Sequence, residues 1–210
     1  MNYRLSRIAA ICGGKFSGCD SEVRSVVTDS RSLSCELGCR PMFVAMRGAN
    51  HDSHDFIAGM QSRGVRAFLV ERGVEASSCT GECGFVQVDN AIEALQRLAA
   101  YHRAQFRGTV VGITGSNGKT VIKEWIAEEL PEGMKYYRSP KSYNSQLGVP
   151  LSVLMLEGDE ELAIFEAGIS KPGEMERLER IIRPDAVIFT SIGDAHQENF
   201  INLEQKCDEK

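Results

Sequence analysis

Nine consecutive residues, Gly112-Ile113-Thr114-Gly115-Ser116-Asn117-Gly118-Lys119-Thr120, constrain this chain more than any other stretch. They begin within the end of an apolar, β-branched run at residues 109–113 and open a helical pattern at residues 119–130. A glycine-rich turn at such a junction gathers backbone N–H groups and the positive end of a helix dipole at one point, which suits a phosphate. Lys119 would then neutralise the β- and γ-phosphates and the Thr120 hydroxyl would reach Mg²⁺. The strict pattern asks for glycine at 113, where this chain has Ile, with glycines at 112 and 115 instead. A glycine-rich turn without a ligand is the competing reading, weakened because Gly-Lys-Thr falls on the strand-to-helix junction.

From residue 109 the chain reads strand 109–113, helix 119–130, helix 146–156, strand 162–166, helix 172–182 and strand 185–190, the alternation of a parallel, doubly wound sheet. The first half has another rhythm. Leu5, Ile8, Ala9 and Cys12 keep a helical period up to Gly13-Gly14. Strand-like runs follow at residues 23–28, 42–46, 66–70 and 85–88, with a helical stretch at 54–63. Asn90 and Glu93 offer a capping box for a helix to residue 106. The expected fold class is α/β: a small mixed-sheet domain over residues 1–106, then a truncated doubly wound parallel-sheet ATP-binding domain over 107–210. Only three parallel strands are readable and a helix starting near Leu203 is cut at Lys210, so the natural protein is expected to continue.

Composition excludes several classes. At 42% hydrophobic and 25% charged, 210 residues suffice for one large or two small globular domains. A net charge of -5 without a basic cluster argues against nucleic acid. No apolar run approaches the roughly 20 residues of a membrane span, and the N-terminal stretch is too short for a signal peptide, so no membrane insertion and a cytoplasmic location are expected. Seven cysteines without a secretory signal read as reduced thiols. The pairs Cys35/Cys39 and Cys79/Cys83 allow a four-thiolate zinc site, although three intervening residues is wider than the usual two; buried or loop thiols are the plainer reading.

The segment Thr114 to Thr120 resembles the ATP loop of the Mur ligases, which assemble the peptidoglycan peptide. Downstream, Asn144-Ser145-Gln146-Leu147-Gly148-Val149-Pro150 and Lys123-Glu124 are similar to the branch of that family that joins D-Ala-D-Ala to UDP-MurNAc-tripeptide. Upstream, Thr28-Asp29-Ser30-Arg31, Met42-Phe43-Val44-Ala45, Gly48 and His54-Asp55-Phe56 look like the family's UDP-substrate domain, with Ser53 where glycine is usual and Val121 where threonine is commoner. The resemblance covers nearly the whole chain. It implies an ATP-dependent ligase working through an acyl phosphate, with ATP and Mg²⁺ as cofactors and UDP-MurNAc-tripeptide and D-Ala-D-Ala as substrates. The family's third domain is absent here, so no turnover is expected of this chain alone.

The resemblance also implies roles. Gly115, Ser116, Asn117, Gly118, Lys119 and Thr120 bind the nucleotide. Lys119, Glu166, His196 and Lys210 carry the chemistry, and Thr120, Glu166, His196 and Lys210 hold Mg²⁺, Lys210 as a carbamate. Ser30, Arg31, His54 and Asn144 bind substrate. Plainer readings stand beside these: a solvated strand-end carboxylate for Glu166, a solvated loop histidine for His196, a turn with a surface arginine for Ser30-Arg31, and a helix cap for Asn144. His51, two residues from His54 with no further ligand in view, reads as loop. A MurE-like or folylpolyglutamate synthase-like ligase shares the loop and the metal residues, and a non-catalytic nucleotide- or UDP-sugar-binding module would share the loop alone.

Overall fold

A computed structural model of the chain describes residues 1–32, 40–48, 51–73, 82–193 and 199–210. Its contacts separate into two compact units, Met1–Leu98 and Ala99–Lys210.

The first unit contains β1 (Tyr3–Arg4), α1 (Leu5–Cys12), β2 (Lys15–Gly18), β3 (Glu22–Val23), β4 (Ser25–Val27), β5 (Pro41–Val44), α2 (Ile57–Ser62), β6 (Ala67–Glu71), β7 (Gly84–Val88) and the start of α3 (Ala91–Arg103). Five strands form a sheet in the order β2-β7-β6-β5-β4, in which only β2 runs antiparallel to its neighbour. Phe43, Phe68, Val70 and Phe85 bury one face of it with Ile57 and Met60 of α2, and the Phe68 and Phe85 rings stack at 5.2 Å. The alternate residues Val44, Leu69 and Val86 are buried as well, so both faces of the sheet are covered, as parallel strands require. α1 buries Leu5, Ile8, Ala9 and Cys12 and stops at Gly13, whose φ of 70° is the left-handed turn that glycine takes without strain.

The expected strand at 23–28 is two short ones: β3 pairs with β1, and β4 joins the main sheet. β2 was not expected, because an exposed edge strand with only Phe16 and no apolar alternation leaves no period-2 signal. The helix expected at 54–63 is a tight 3₁₀ turn, Ser53–Phe56, capped by Asp52, and then α2. Asn90 caps α3 as expected, its side chain accepting from the Glu93 N–H at 3.0 Å. α3 ends at Arg103, short of residue 106, where the Gln105 and Phe106 N–H groups turn to the carbonyls three residues back, and the Arg103 guanidinium donates to the carbonyls of Ile182 and Arg183 at 2.7 and 2.8 Å.

The second unit carries β8 (Thr109–Thr114), α4 (Lys119–Glu128), β9 (Tyr136–Arg138), α5 (Gly148–Val153), β10 (Leu162–Glu166), α6 (Glu174–Ile182), β11 (Ala186–Phe189) and α7 (Leu203–Glu209). Its sheet has the order β11-β8-β10-β9, all parallel. Four strands stand where three were expected; β9 is a three-residue edge strand, too short to show a period. Ile113, Leu162 and Ile164 pack with Ile122 and Ile126 of α4 on one face. On the other, the Phe165 ring meets Tyr137, whose hydroxyl donates to the Ser152 carbonyl of α5 at 2.8 Å. The sheet is thus doubly wound. After α4 the chain passes to β9 and β10 on one side of β8, and then to β11 on its other side, which opens a crevice at the carboxyl ends of the strands.

Among the described residues no helix is long and apolar enough to cross a membrane. Cys35, Cys39 and Cys79 lie outside the described residues, and Cys83 is a buried free thiol. Replacing Phe68 with Ala should destabilise the first unit by about 3–5 kcal/mol, since it empties the centre of the aromatic core; urea denaturation followed by circular dichroism measures it.

Candidate nucleotide and metal site

β8 delivers the phosphate loop to the crevice, and the residues following β11 hold it there. Thr190 N–H donates to the Thr114 carbonyl at 2.9 Å, and Ser116 N–H to the Ser191 carbonyl at 2.6 Å. The Ser116 hydroxyl accepts from the Gly193 N–H at 2.9 Å and donates to the Gly193 carbonyl at 3.1 Å. The Thr190 hydroxyl donates to the Asn117 carbonyl at 2.6 Å. Gly115, at φ 136°, passes so close to this segment that a Cβ would overlap the Thr190 hydroxyl. That contact and the backbone angle together restrict the position to glycine. Gly118, left-handed at φ 83°, starts α4 with no side-chain cap on its first N–H groups.

Lys119 curls back over the loop and donates to the Gly115 carbonyl at 2.7 Å. Burial holds its ammonium below the usual lysine range, an effect that the nearby Glu166 carboxylate partly offsets. Glu166 closes β10 and is completely buried. Its Oε2 accepts from the Thr120 hydroxyl at 3.0 Å, which brings together two oxygen-bearing side chains from the candidate metal set. Its Oε1 lies 2.8 Å from Lys123 Nζ but outside hydrogen-bonding angles, and it accepts no hydrogen bond. A buried carboxylate that shares one oxygen with a threonine hydroxyl and keeps lone pairs unfilled fits a hard divalent cation. Asn144 joins this edge through its carbonyl, which accepts from the Gly168 N–H at 2.8 Å; its side chain also borders Gly168.

Lys210 reaches the loop from α7 and donates to the same Gly115 carbonyl at 3.1 Å. Burial first, and then the Lys119 and Lys206 ammonium groups, lower its pKa to about 8. Lys206, almost fully buried, donates to the Gly193 carbonyl and lies 6.0 Å from the centre of the Phe200 ring. His196 lies outside the described residues.

The candidate substrate residues Ser30, Arg31 and His54 belong to the other unit. Arg31 is exposed and grips Asp29 with both arms, at 3.0 and 2.9 Å, holding that carboxyl down at about 2. The Ser30 carbonyl accepts from Arg63. His54 is buried with both ring nitrogens engaged: Nε2 accepts from the Glu71 N–H at 3.0 Å and Nδ1 contacts Asp52. Because Nε2 accepts, the proton belongs on Nδ1. His54 therefore ties the turn before α2 to the end of β6.

Sequence reasoning assigned no role in the site to Lys123 or Lys206. For Lys123 a signal existed: it sits four residues after Lys119 and four before the buried Ala127, on one stripe of α4. Nothing in the sequence marked Lys206.

Residues 113–210 match the Mur ligase middle domain. A UDP-N-acetylmuramoyl-tripeptide--D-alanyl-D-alanine ligase of Borreliella burgdorferi is 34% identical over 206 residues, covering 93% of this chain and 44% of that protein. MurF from Acinetobacter baumannii superposes with a TM-score of 0.87 at 27% identity, over 100% of this chain and 45% of its own. MurF from Thermotoga maritima, solved in complex with ADP, gives 0.75 at 31% identity, over 89% and 42% respectively. The chain spans less than half the length of each of these relatives.

The Lys210 amine should titrate near pH 8, so that it is mostly charged at pH 7 and mostly neutral at pH 9. Lys206→Met removes one of the two repelling cations and should move the midpoint upward, toward ordinary lysine; NMR titration of the lysine side chains reads both.

Proposed function

The chain belongs to the Mur ligase family, and we propose that it supplies the substrate- and ATP-binding portions of a ligase that joins D-Ala-D-Ala to UDP-MurNAc-tripeptide in the cytoplasm. In this reading residues 1–106 bind the UDP-sugar peptide and residues 107–210 bind ATP. The observation that carries it is the Thr120–Glu166 hydrogen bond at the mouth of the phosphate loop, in a chain 34% identical to a ligase of that name. A nucleotide-binding module needs the loop but not a buried carboxylate beside its threonine.

The proposed reaction has two steps. The peptide carboxylate attacks the γ-phosphorus of ATP, giving an acyl phosphate and ADP. The dipeptide amine then attacks the acyl carbon, and the tetrahedral intermediate expels phosphate to leave an amide. Negative charge collects in both steps, so fixed positive groups are the effective stabilisers. Lys119 is the loop cation suited to the β- and γ-phosphates. The loop and the start of α4 supply backbone N–H groups to the same phosphates. Thr120 and Glu166 would hold Mg²⁺, with His196 and a carbamoylated Lys210 completing the set that the family resemblance implies. When bound, the ion would neutralise phosphate oxygens and hold them in line. The lowered pKa of Lys210 favours the neutral amine that carbamoylation by CO₂ requires.

Arg31 would grip the diphosphate of the UDP moiety by exchanging its two-armed hold on Asp29 for a phosphate, with Ser30 beside it as a hydroxyl donor. Asn144 would act at the other unit's crevice. His54 supports this region through its bonds to Asp52 and Glu71.

Calorimetric titration of the folded chain should give tighter binding of UDP-MurNAc-tripeptide than of UDP-MurNAc-dipeptide, by on the order of tenfold, about 1.4 kcal/mol. Equal affinities, or no binding of either by a chain that circular dichroism reports as folded, would remove the substrate assignment and leave only nucleotide binding.

A further inference from the structure

Lys123 is the only lysine on α4 whose side chain is wholly buried, and its ammonium has three partners from two places. It lies 2.8 Å from Glu166 Oε1 at the end of β10. It donates to the Ser139 carbonyl at 2.7 Å and to the Lys141 carbonyl at 2.6 Å, both in the segment that follows β9. The Glu124 carboxylate, 3.5 Å away, is turned outward to Arg138 at 2.8 Å. Two of the ammonium's three hydrogens go to the carbonyls, and Glu166 Oε1 is held by charge at 2.8 Å, outside hydrogen-bonding angles. One cation thus closes a triangle between the helix after the phosphate loop, the carboxylate at the end of the central strand, and the segment leading to Asn144.

The two oxygens of Glu166 are consequently unlike. Oε1 faces a fixed ammonium; Oε2 faces the Thr120 hydroxyl. A carboxylate without Lys123 could turn about its terminal torsion, which is broad, and carry its oxygens out of line with the Thr120 hydroxyl. With Lys123 in place that rotation would break the buried ion pair. From this geometry we propose that Lys123 is a positioning residue: it orients Glu166 so that Oε2, together with Thr120, is presented to the divalent cation that accompanies the nucleotide, and it anchors residues 139–144 to the same point. The proposal rests on the reading of Glu166 and Thr120 as metal-holding residues. Lysine suits the task because a compact ammonium can serve three acceptors in different directions, whereas a planar guanidinium cannot reproduce that arrangement.

The test is nucleotide binding by the whole chain, measured calorimetrically with a non-hydrolysable ATP analogue at increasing Mg²⁺ and again in EDTA. Wild type, Lys123→Met, Lys123→Arg and Glu166→Gln are compared, each checked by circular dichroism. Lys123→Met should lose at least tenfold of the Mg²⁺-dependent gain in affinity, while affinity in EDTA stays within twofold of wild type. Lys123→Arg, which keeps the charge but not the directions of the ammonium's hydrogens, should lose at least threefold. A loss in Glu166→Gln but none in folded Lys123→Met overturns the positioning role alone. Should Lys123→Met fail to fold, a wild-type Mg²⁺ dependence in Lys123→Arg overturns it equally. No loss in Glu166→Gln removes the metal reading and, with it, the role of Lys123. A fall in affinity of equal size with and without Mg²⁺ in the Lys123 variants would reduce the residue to a general structural support and also overturn the proposal.

Discussion

A buried ion pair, Lys123 with Glu166, is the interaction around which the second unit is arranged. Taking two charges out of water costs several kcal/mol for each, and their attraction offsets that only when the geometry is good and the remaining valences are filled. Here the ammonium fills its valences with two backbone carbonyls, and the carboxylate fills one of its own with the Thr120 hydroxyl. The requirement propagates outward. Helix α4 must start so that Lys123 faces the sheet, which sets the direction of Lys119 and Thr120 one turn earlier. The chain after β9 must turn its carbonyls inward, and this brings Asn144 to Gly168 at the next step of the sheet edge.

The phosphate loop is the second constraint, and it depends on close backbone approach. Gly115 lies against Thr190 at a distance that leaves no room for a side chain, and Ser116 exchanges hydrogen bonds with Gly193. The strand that ends before Thr190 therefore supports the loop as much as the strand that leads into it. Lys206 adds a buried cation on the Gly193 carbonyl, and Lys119 and Lys210 both donate to the Gly115 carbonyl. Three ammonium groups near one loop repel each other, and this adds to burial, the larger cause, in lowering the pKa of Lys210. Such a concentration of positive charge suits a polyanion and would be costly around a neutral ligand.

Much of this was readable in advance. Strand β10 is apolar and buried along its whole length, so its bounds of 162–166 were found to the residue. The strand and helix around the loop were legible for the same reason, together with the glycines that only a tight turn explains. The short edge strands β2 and β9 were not, because a strand of three or four residues with one exposed face has no period to detect. Nor was the burial of His54, to which the family resemblance gave a substrate role; its ring is engaged by Asp52 and by the Glu71 N–H, seventeen positions away.

By itself the sequence determined the chemistry on offer and its order along the chain: a loop for phosphate, a carboxylate closing an apolar strand, and a mixed sheet before a parallel one. These are local properties, set by side-chain periodicity, by glycine's freedom of φ, and by which residue types can carry charge. Only the tertiary structure decided which groups meet. Glu166 is forty-six positions from Thr120, and Lys210 is ninety-five from Gly115. Their approach depends on parallel pairing that inserts β10 between β8 and β9 and sends β11 to the far side of β8. The buried state of Lys123 was decided there too, since a lysine on a helix is exposed by default and only the surrounding carbonyls and carboxylate make its burial tolerable.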